Sequence, residues 1–143
     1  MIPVLLVDDD GDMLDLMRMA FTESGNFAVT ACLDARDAVE ILKKQPIEVV
    51  ISDYRMPVMN GGVFVRAARE TGYKGLFIIY SGRGKDPLID QARRDGADVY
   101  IPRSGDFKKE FSSIKTIIHT RNADQATCTR SDTMVLADTF PDE

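Results

Sequence analysis

Residues 2–7 (Ile-Pro-Val-Leu-Leu-Val) form an unbroken apolar run that stops at Asp8. A run without polar alternation predicts a strand covered on both faces. From about Asp12 to Ser24, Met13, Leu14, Leu16, Met17, Ala20 and Phe21 recur at helical spacing, and Gly25-Asn26 marks the end. Residues 27–33 predict a second strand. Asp34 is a good N-cap for a helix to Lys44 that turns Ala38, Val39, Ile41 and Leu42 inward, and Pro46 stops it. Residues 47–52 predict a third strand, ending at Asp53. A loop follows in which Gly61 and Gly62 serve the turn, then a helix from about Val63 to Thr71. Leu76 to Tyr80 predicts a fourth strand ending at Ser81, and Gly82 and Gly84 flank a tight turn. Asp86-Pro87 opens a helix to about Asp95. Residues 97–101 predict a short fifth strand, and Asp106 caps a last helix reaching about Arg121.

Five strands alternating with five helices predict an α/β fold: a doubly wound, five-stranded parallel sheet with helices on both faces. Ligands of such sheets bind beyond the carboxyl ends of the strands. Asp8, Asp53, Ser81 and Arg103 stand at those ends. The predicted domain covers residues 1–121. Residues 122–143 are rich in Thr, Asp and Ala and read as a tail or linker with one short docking segment.

Composition narrows the function without naming it. No apolar run approaches the roughly 20 residues of a membrane span, and no export signal precedes the first strand, so a cytoplasmic location is expected. A net charge of −5 argues against a nucleic-acid surface. Cys32 and Cys128 form no CxxC pair, which predicts neither a disulfide framework nor a zinc site. His119 is the sole histidine and falls on the last predicted helix, so a multi-histidine metal site is excluded.

Charge distribution is more informative than its total. Residues 8–12 read Asp-Asp-Asp-Gly-Asp. Two carboxylates about 4 Å apart repel by about 4 kcal/mol at an effective dielectric near 20. A cation removes that cost. The candidate ligands are all oxygens, and the small hard ion that keeps waters for a phosphate to displace is Mg²⁺, with Mn²⁺ as a substitute. Asp10 and Asp12 are assigned to capping the first helix. Asp8 and Asp9 emerge directly from a buried strand and are assigned to the metal.

Val7-Asp8-Asp9, then Asp53-Tyr-Arg-Met56-Pro57-Val-Met-Asn60-Gly61, then Tyr-Ser81-Gly, then Gly96-Ala97-Asp-Val-Tyr100 resemble the response-regulator receiver family over residues 2–121. The resemblance implies a flavodoxin-like (βα)5 fold with strand order 2-1-3-4-5. It implies that Asp53 accepts a phosphoryl group from a sensor histidine kinase or phosphotransfer protein. Asp9 would ligate Mg²⁺ directly, Asp8 partly through water, and the backbone carbonyl of Arg55 would join Asp53 among the ligands. Ser81 would hydrogen-bond the phosphoryl group, and Tyr100 occupies the aromatic switch position, the bland alternative being a strand aromatic packed on the last helix. The surface of helix 4, strand 5 and helix 5 would engage a downstream protein. Such a domain is a signalling element, not a conventional enzyme. The Ser-Gly-Arg-Gly turn and the Arg-Ser-Gly-Asp stretch are also similar to receivers attached to archaeal, particularly methanogen, sensory kinases.

One position departs from the family. Its Lys after strand 5 is replaced by Arg103, longer, planar and forked. Arg103 would grip a phosphoryl oxygen or pair with Asp53 at rest, and Arg55 and Arg83 would tune phosphoryl lifetime. Two alternatives stand against the phosphoacceptor reading. One is a receiver-like docking module that has lost phosphorylation, with Arg103 as its support. The other is a haloacid-dehalogenase-type phosphatase, suggested by Asp8-Asp9-Asp10-Gly11 and opposed by Asp12 and by Ile101-Pro102-Arg103.

Overall fold

A computed structural model describes residues 1–82 and 88–125, with side chains for 1–82 and 90–121. Its elements run β1 (Ile2–Val7), α1 (Gly11–Glu23), β2 (Phe27–Cys32), α2 (Ala35–Lys44), β3 (Val49–Ser52), α3 (Gly61–Glu70), β4 (Leu76–Ser81), α4 (Leu88–Asp95), β5 (Val99–Pro102) and α5 (Phe107–Gln125). The strands form one parallel sheet in the order β2-β1-β3-β4-β5, as expected.

Strand alternation divides the core into two layers. Leu5, Val7, Val50, Phe77, Ile79 and Tyr100 face α2, α3 and α4, where Ala38, Phe64, Val65 and Ala92 meet them. Val4, Leu6, Ile51, Ile78, Tyr80 and Ile101 face α1 and α5, where Met17, Phe21, Phe111 and Ile114 meet them. Both faces are covered, which is why β1 and β4 carry no polar interruption.

Boundaries differ from the sequence expectation in five places. β3 begins at Val49, two residues late. β5 begins at Val99 and takes in Pro102. β2 ends at Cys32, leaving Leu33 exposed. Gly61 and Gly62 are not in a turn: Asn60 caps α3 through its side chain, and both glycines belong to the helix's first turn. α5 runs to Gln125, four residues past the expected helix end near Arg121. The expected turn at Gly84, the Asp86-Pro87 cap, Arg83, Cys128 and residues 126–143 lie outside the described residues.

The remaining local signals match. Asp10 caps α1 by accepting from the N–H groups of Asp12 and Met13, and Asp34 caps α2 by accepting from Arg36 N–H. Cys32 is buried, and His119 is exposed beside Phe27. Among the described residues, no helix is long and apolar enough to cross a membrane.

Candidate functional site

Parallel pairing brings the carboxyl ends of β1, β3, β4 and β5 to one edge. Asp53 N–H donates to Val7 C=O at 3.0 Å, and Arg103 N–H donates to Ser81 C=O at 2.7 Å, so the first residues after the strands are still tied to their neighbours. Asp8, Asp9 and Asp53 thereby bring one carboxylate oxygen each to within 4.8 Å of one another. Asp8 is buried, Asp53 half-buried and Asp9 exposed.

The three acids are held differently. Asp8 Oδ1 accepts from Asp10 N–H at 2.9 Å, and Oδ2 accepts from Arg103 Nη2 at 3.0 Å. Burial pushes the Asp8 carboxyl up to about 6, repulsion from Asp53 adds to this, and the Asp10 N–H and Arg103 oppose it. Burial also raises the Asp53 carboxyl above its ordinary range. Arg103's charge and hydrogen bonds from Tyr54 N–H, the Ser81 hydroxyl and Arg55 N–H pull the other way. Exposed Asp9 is open to solvent on the same edge.

Three hard oxygen donors from separate residues suit a small divalent cation, and Mg²⁺ matches that donor chemistry. Receiver domains bind Mg²⁺ at an acidic pocket of this kind. Asp10 takes no part: its carboxylate is used on the first turn of α1, which removes the second acid that the phosphatase likeness required.

The hydroxyl and cationic residues partly follow expectation. Ser81 is buried, and its hydroxyl lies on the Asp53 side, where it helps hold that carboxyl down. Arg103 does not pair with Asp53 at rest; its ion pair is with Asp8. The reason is reach: the long guanidinium lies over the Tyr80 ring, 4.5 Å from its centroid, and extends past the end of β3 to the Asp8 carboxylate at the end of β1. Tyr100 is fully buried on the α4 side of the sheet, opposite α5, so the strand tyrosine that packs on the last helix is Tyr80. Arg55 has an exposed side chain and lends its N–H to Asp53.

Sequence reasoning missed Tyr80 and Glu110. Tyr80 O–H donates to Glu110 Oε1, while Glu110 Oε2 accepts from both the N–H and the hydroxyl of Ser104. A glutamate in the buried register of α5's first turn was the available signal.

Comparison with known proteins agrees with this geometry. Residues 4–115 match the model of the response regulator receiver domain. The chain is 31% identical over 118 residues to the Rhizobium etli protein named "Probable chemotaxis protein CheY", covering 81% of this chain and 92% of that one. It is 30% identical over 122 residues to the C4-dicarboxylate transport transcriptional regulatory protein DctD of Rhizobium meliloti, covering 85% of this chain but only 25% of that protein. A receiver domain protein of Methanospirillum hungatei superposes with a TM-score of 0.75 at 19% identity, over 87% of this chain and 98% of that one, a likeness of fold. The chain belongs to the response regulator receiver family, the CheY-like signalling domains of two-component systems.

Proposed function

We propose that Asp53 is the phosphoacceptor of a two-component relay, working in the cytoplasm with a sensor histidine kinase or phosphotransfer protein as donor. The observation that carries this reading is the meeting of three carboxylates within 4.8 Å at the strand ends, with the Ser81 hydroxyl on Asp53. In the transfer, an Asp53 carboxylate oxygen forms the new bond to phosphorus as the phosphorus–nitrogen bond of the donor histidine breaks, and the imidazole keeps that electron pair. Mg²⁺, held by Asp8, Asp9, Asp53 and the Arg55 carbonyl, would neutralise phosphoryl charge, with Mn²⁺ as a substitute.

The chain's own groups do the rest. Tyr54 N–H and Arg55 N–H fix the Asp53 carboxylate, and Ser81 offers a hydroxyl to a phosphoryl oxygen. Arg103, paired with Asp8 at rest, would bring its positive charge to a phosphoryl oxygen, and Arg55 and Arg83 tune access of water to the product. Ser81 and Tyr100 form the switch that would carry occupancy to the α4-β5-α5 surface and a downstream protein. The sub-family reading, a receiver linked to archaeal-type sensory kinases, rests on Ser81-Gly82-Arg83-Gly84 and Arg103-Ser104-Gly105-Asp106.

Incubation with acetyl phosphate and Mg²⁺, followed by intact-mass measurement, tests the claim. A phosphoryl adduct that disappears in Asp53→Ala is the expected result. A second reading has its own observation: Arg103 already neutralises Asp8, as a docking module without phosphorylation would allow. Absence of an adduct even with a cognate kinase would decide for that module.

A further inference from the structure

We infer that Tyr80, Glu110 and Ser104 are positioning residues for Arg103: they hold its guanidinium on Asp8 and thereby set how tightly the acidic site takes up Mg²⁺. The inference rests on the proposed metal site and adds a control over it from α5.

The geometry leaves the guanidinium dependent on the ring beneath it. Among the described residues, Arg103 reaches Asp8 Oδ2 at 3.0 Å and Tyr80 C=O at 2.9 Å through the single atom Nη2. Its Nε is buried without a hydrogen-bond partner. Two bonds from one nitrogen do not fix the plane of a guanidinium. The Tyr80 ring, 4.5 Å away, supplies the missing face.

That ring is itself fixed. Tyr80 is fully buried, its edge packs on Phe111, and its hydroxyl is tied to Glu110. Donation to a carboxylate leaves the phenol ring richer in electrons and so a better platform for a cation. The other Glu110 oxygen holds Ser104, the residue next to Arg103, by its N–H at 2.6 Å and by its hydroxyl. Glu110 therefore fixes Arg103 twice, through the ring and through the backbone that follows it. Lysine has no planar face to lay on the ring while its head reaches Asp8, so this arrangement is specific to arginine.

A cation on Asp8 opposes a second cation. Loosening the tether frees Asp8, and Mg²⁺ binding should tighten. Simple electrostatics has the opposite sign, because removing the Glu110 charge from the domain alone weakens cation binding.

The test is titration of the full, metal-free chain with MgCl₂ by calorimetry at fixed ionic strength. Glu110→Gln and Tyr80→Phe should each tighten binding by roughly three- to tenfold, a part of a cation–π contact, because both variants keep the ring and lose only its tie to the carboxylate. On an Arg103→Ala background the same changes should give no tightening. Unchanged or weaker binding in both variants, or equal tightening without Arg103, overturns the inference. A wild-type chain that takes up no Mg²⁺ would instead overturn the metal reading. The tether is then read from a metal-free urea cycle between Glu110→Gln and Arg103→Ala, where non-additive stabilities support it and additive ones overturn it.

Discussion

Val58 has a φ of 71° and sits at the centre of a tight turn closed by Met59 N–H donating to Pro57 C=O at 2.7 Å. This is the rarer, positive-φ γ-turn, and a β-branched residue is poorly suited to it. Val58 is 78% exposed, so little packing is lost when it is replaced. Val58→Asn should stabilise the domain by about 1 kcal/mol, measured by urea denaturation, because a side chain unbranched at Cβ crowds a positive-φ backbone less than valine does. A loss of stability would mean that Val58 holds the loop by a contact. The Asp8 carboxyl supplies a second residue-scale prediction. Its folded pKa of about 6 lies above the ordinary 3.8, so the folded state binds more protons across that interval. The associated stability is fully present below the ordinary value and is lost as pH rises through about 6. Asp53 shifts in the same direction. Metal-free protein should therefore be less stable at pH 7 than at pH 5, by roughly 1–2 kcal/mol. Saturating Mg²⁺ should flatten that difference, and a metal-free stability that rises over this range would contradict the assignment.

At the scale of elements, α3 shows where a correct local signal led to a misplaced boundary. Gly61-Gly62 after Pro57 and Asn60 has turn composition, and the helix was expected to begin at Val63. Asn60 is the true cap, and the glycines are there because the first turn lies against Tyr54. A Cβ on Gly61 would stand 2.8 Å from Tyr54 Cα and 3.0 Å from Asp53 C=O, both backbone. Helix propensity favours Ala over Gly by about 1 kcal/mol, but backbone overlap of this kind costs about 1–3 kcal/mol. Gly61→Ala should destabilise and slow phosphorylation, since the displaced backbone carries Asp53. Gly62→Ala meets only side-chain tips, Asp95 Oδ2 and the Tyr54 hydroxyl, and should cost less. Denaturation of the two variants side by side checks the order. Strands β1 and β4 were legible because each is a run of apolar residues long enough to cross the sheet. The acids Asp8, Asp9 and Asp53 were legible because they terminate such runs. Arg103's partner was not, since it depends on a ring from β4 and a carboxylate 95 residues away in sequence. Nor was the Tyr80–Glu110 pair, separated by 30 residues and fixed only by the stacking of α5 on the sheet.

Across the whole molecule, chemistry and stability occupy opposite edges of the sheet. The carboxyl edge concentrates buried like charge at Asp8 and Asp53, which destabilises the metal-free fold. The amino edge of β4 and β5 is held by Arg69 from α3. Its guanidinium donates to Gly96 C=O, to Tyr73 and Gly75 C=O and to Asp98 Oδ2, while lying near the Tyr73 and Phe77 rings. Asp98 in turn accepts from Phe77 N–H at 2.9 Å, so one side chain binds the entrances of two strands to a helix. A lysine has a single ammonium and cannot reach this set of acceptors at once, leaving carbonyls and a half-buried carboxylate short of donors. Arg69→Lys should lower stability by about 2–4 kcal/mol in urea denaturation. Because Arg69 touches none of Asp8, Asp53, Ser81 or Arg103, the Mg²⁺ affinity of the folded variant should stay at the wild-type value. A changed affinity would mean that the two edges are coupled through β4, whose Phe77 and Ser81 stand at its opposite ends, and the sheet would then have to be treated as one responsive unit.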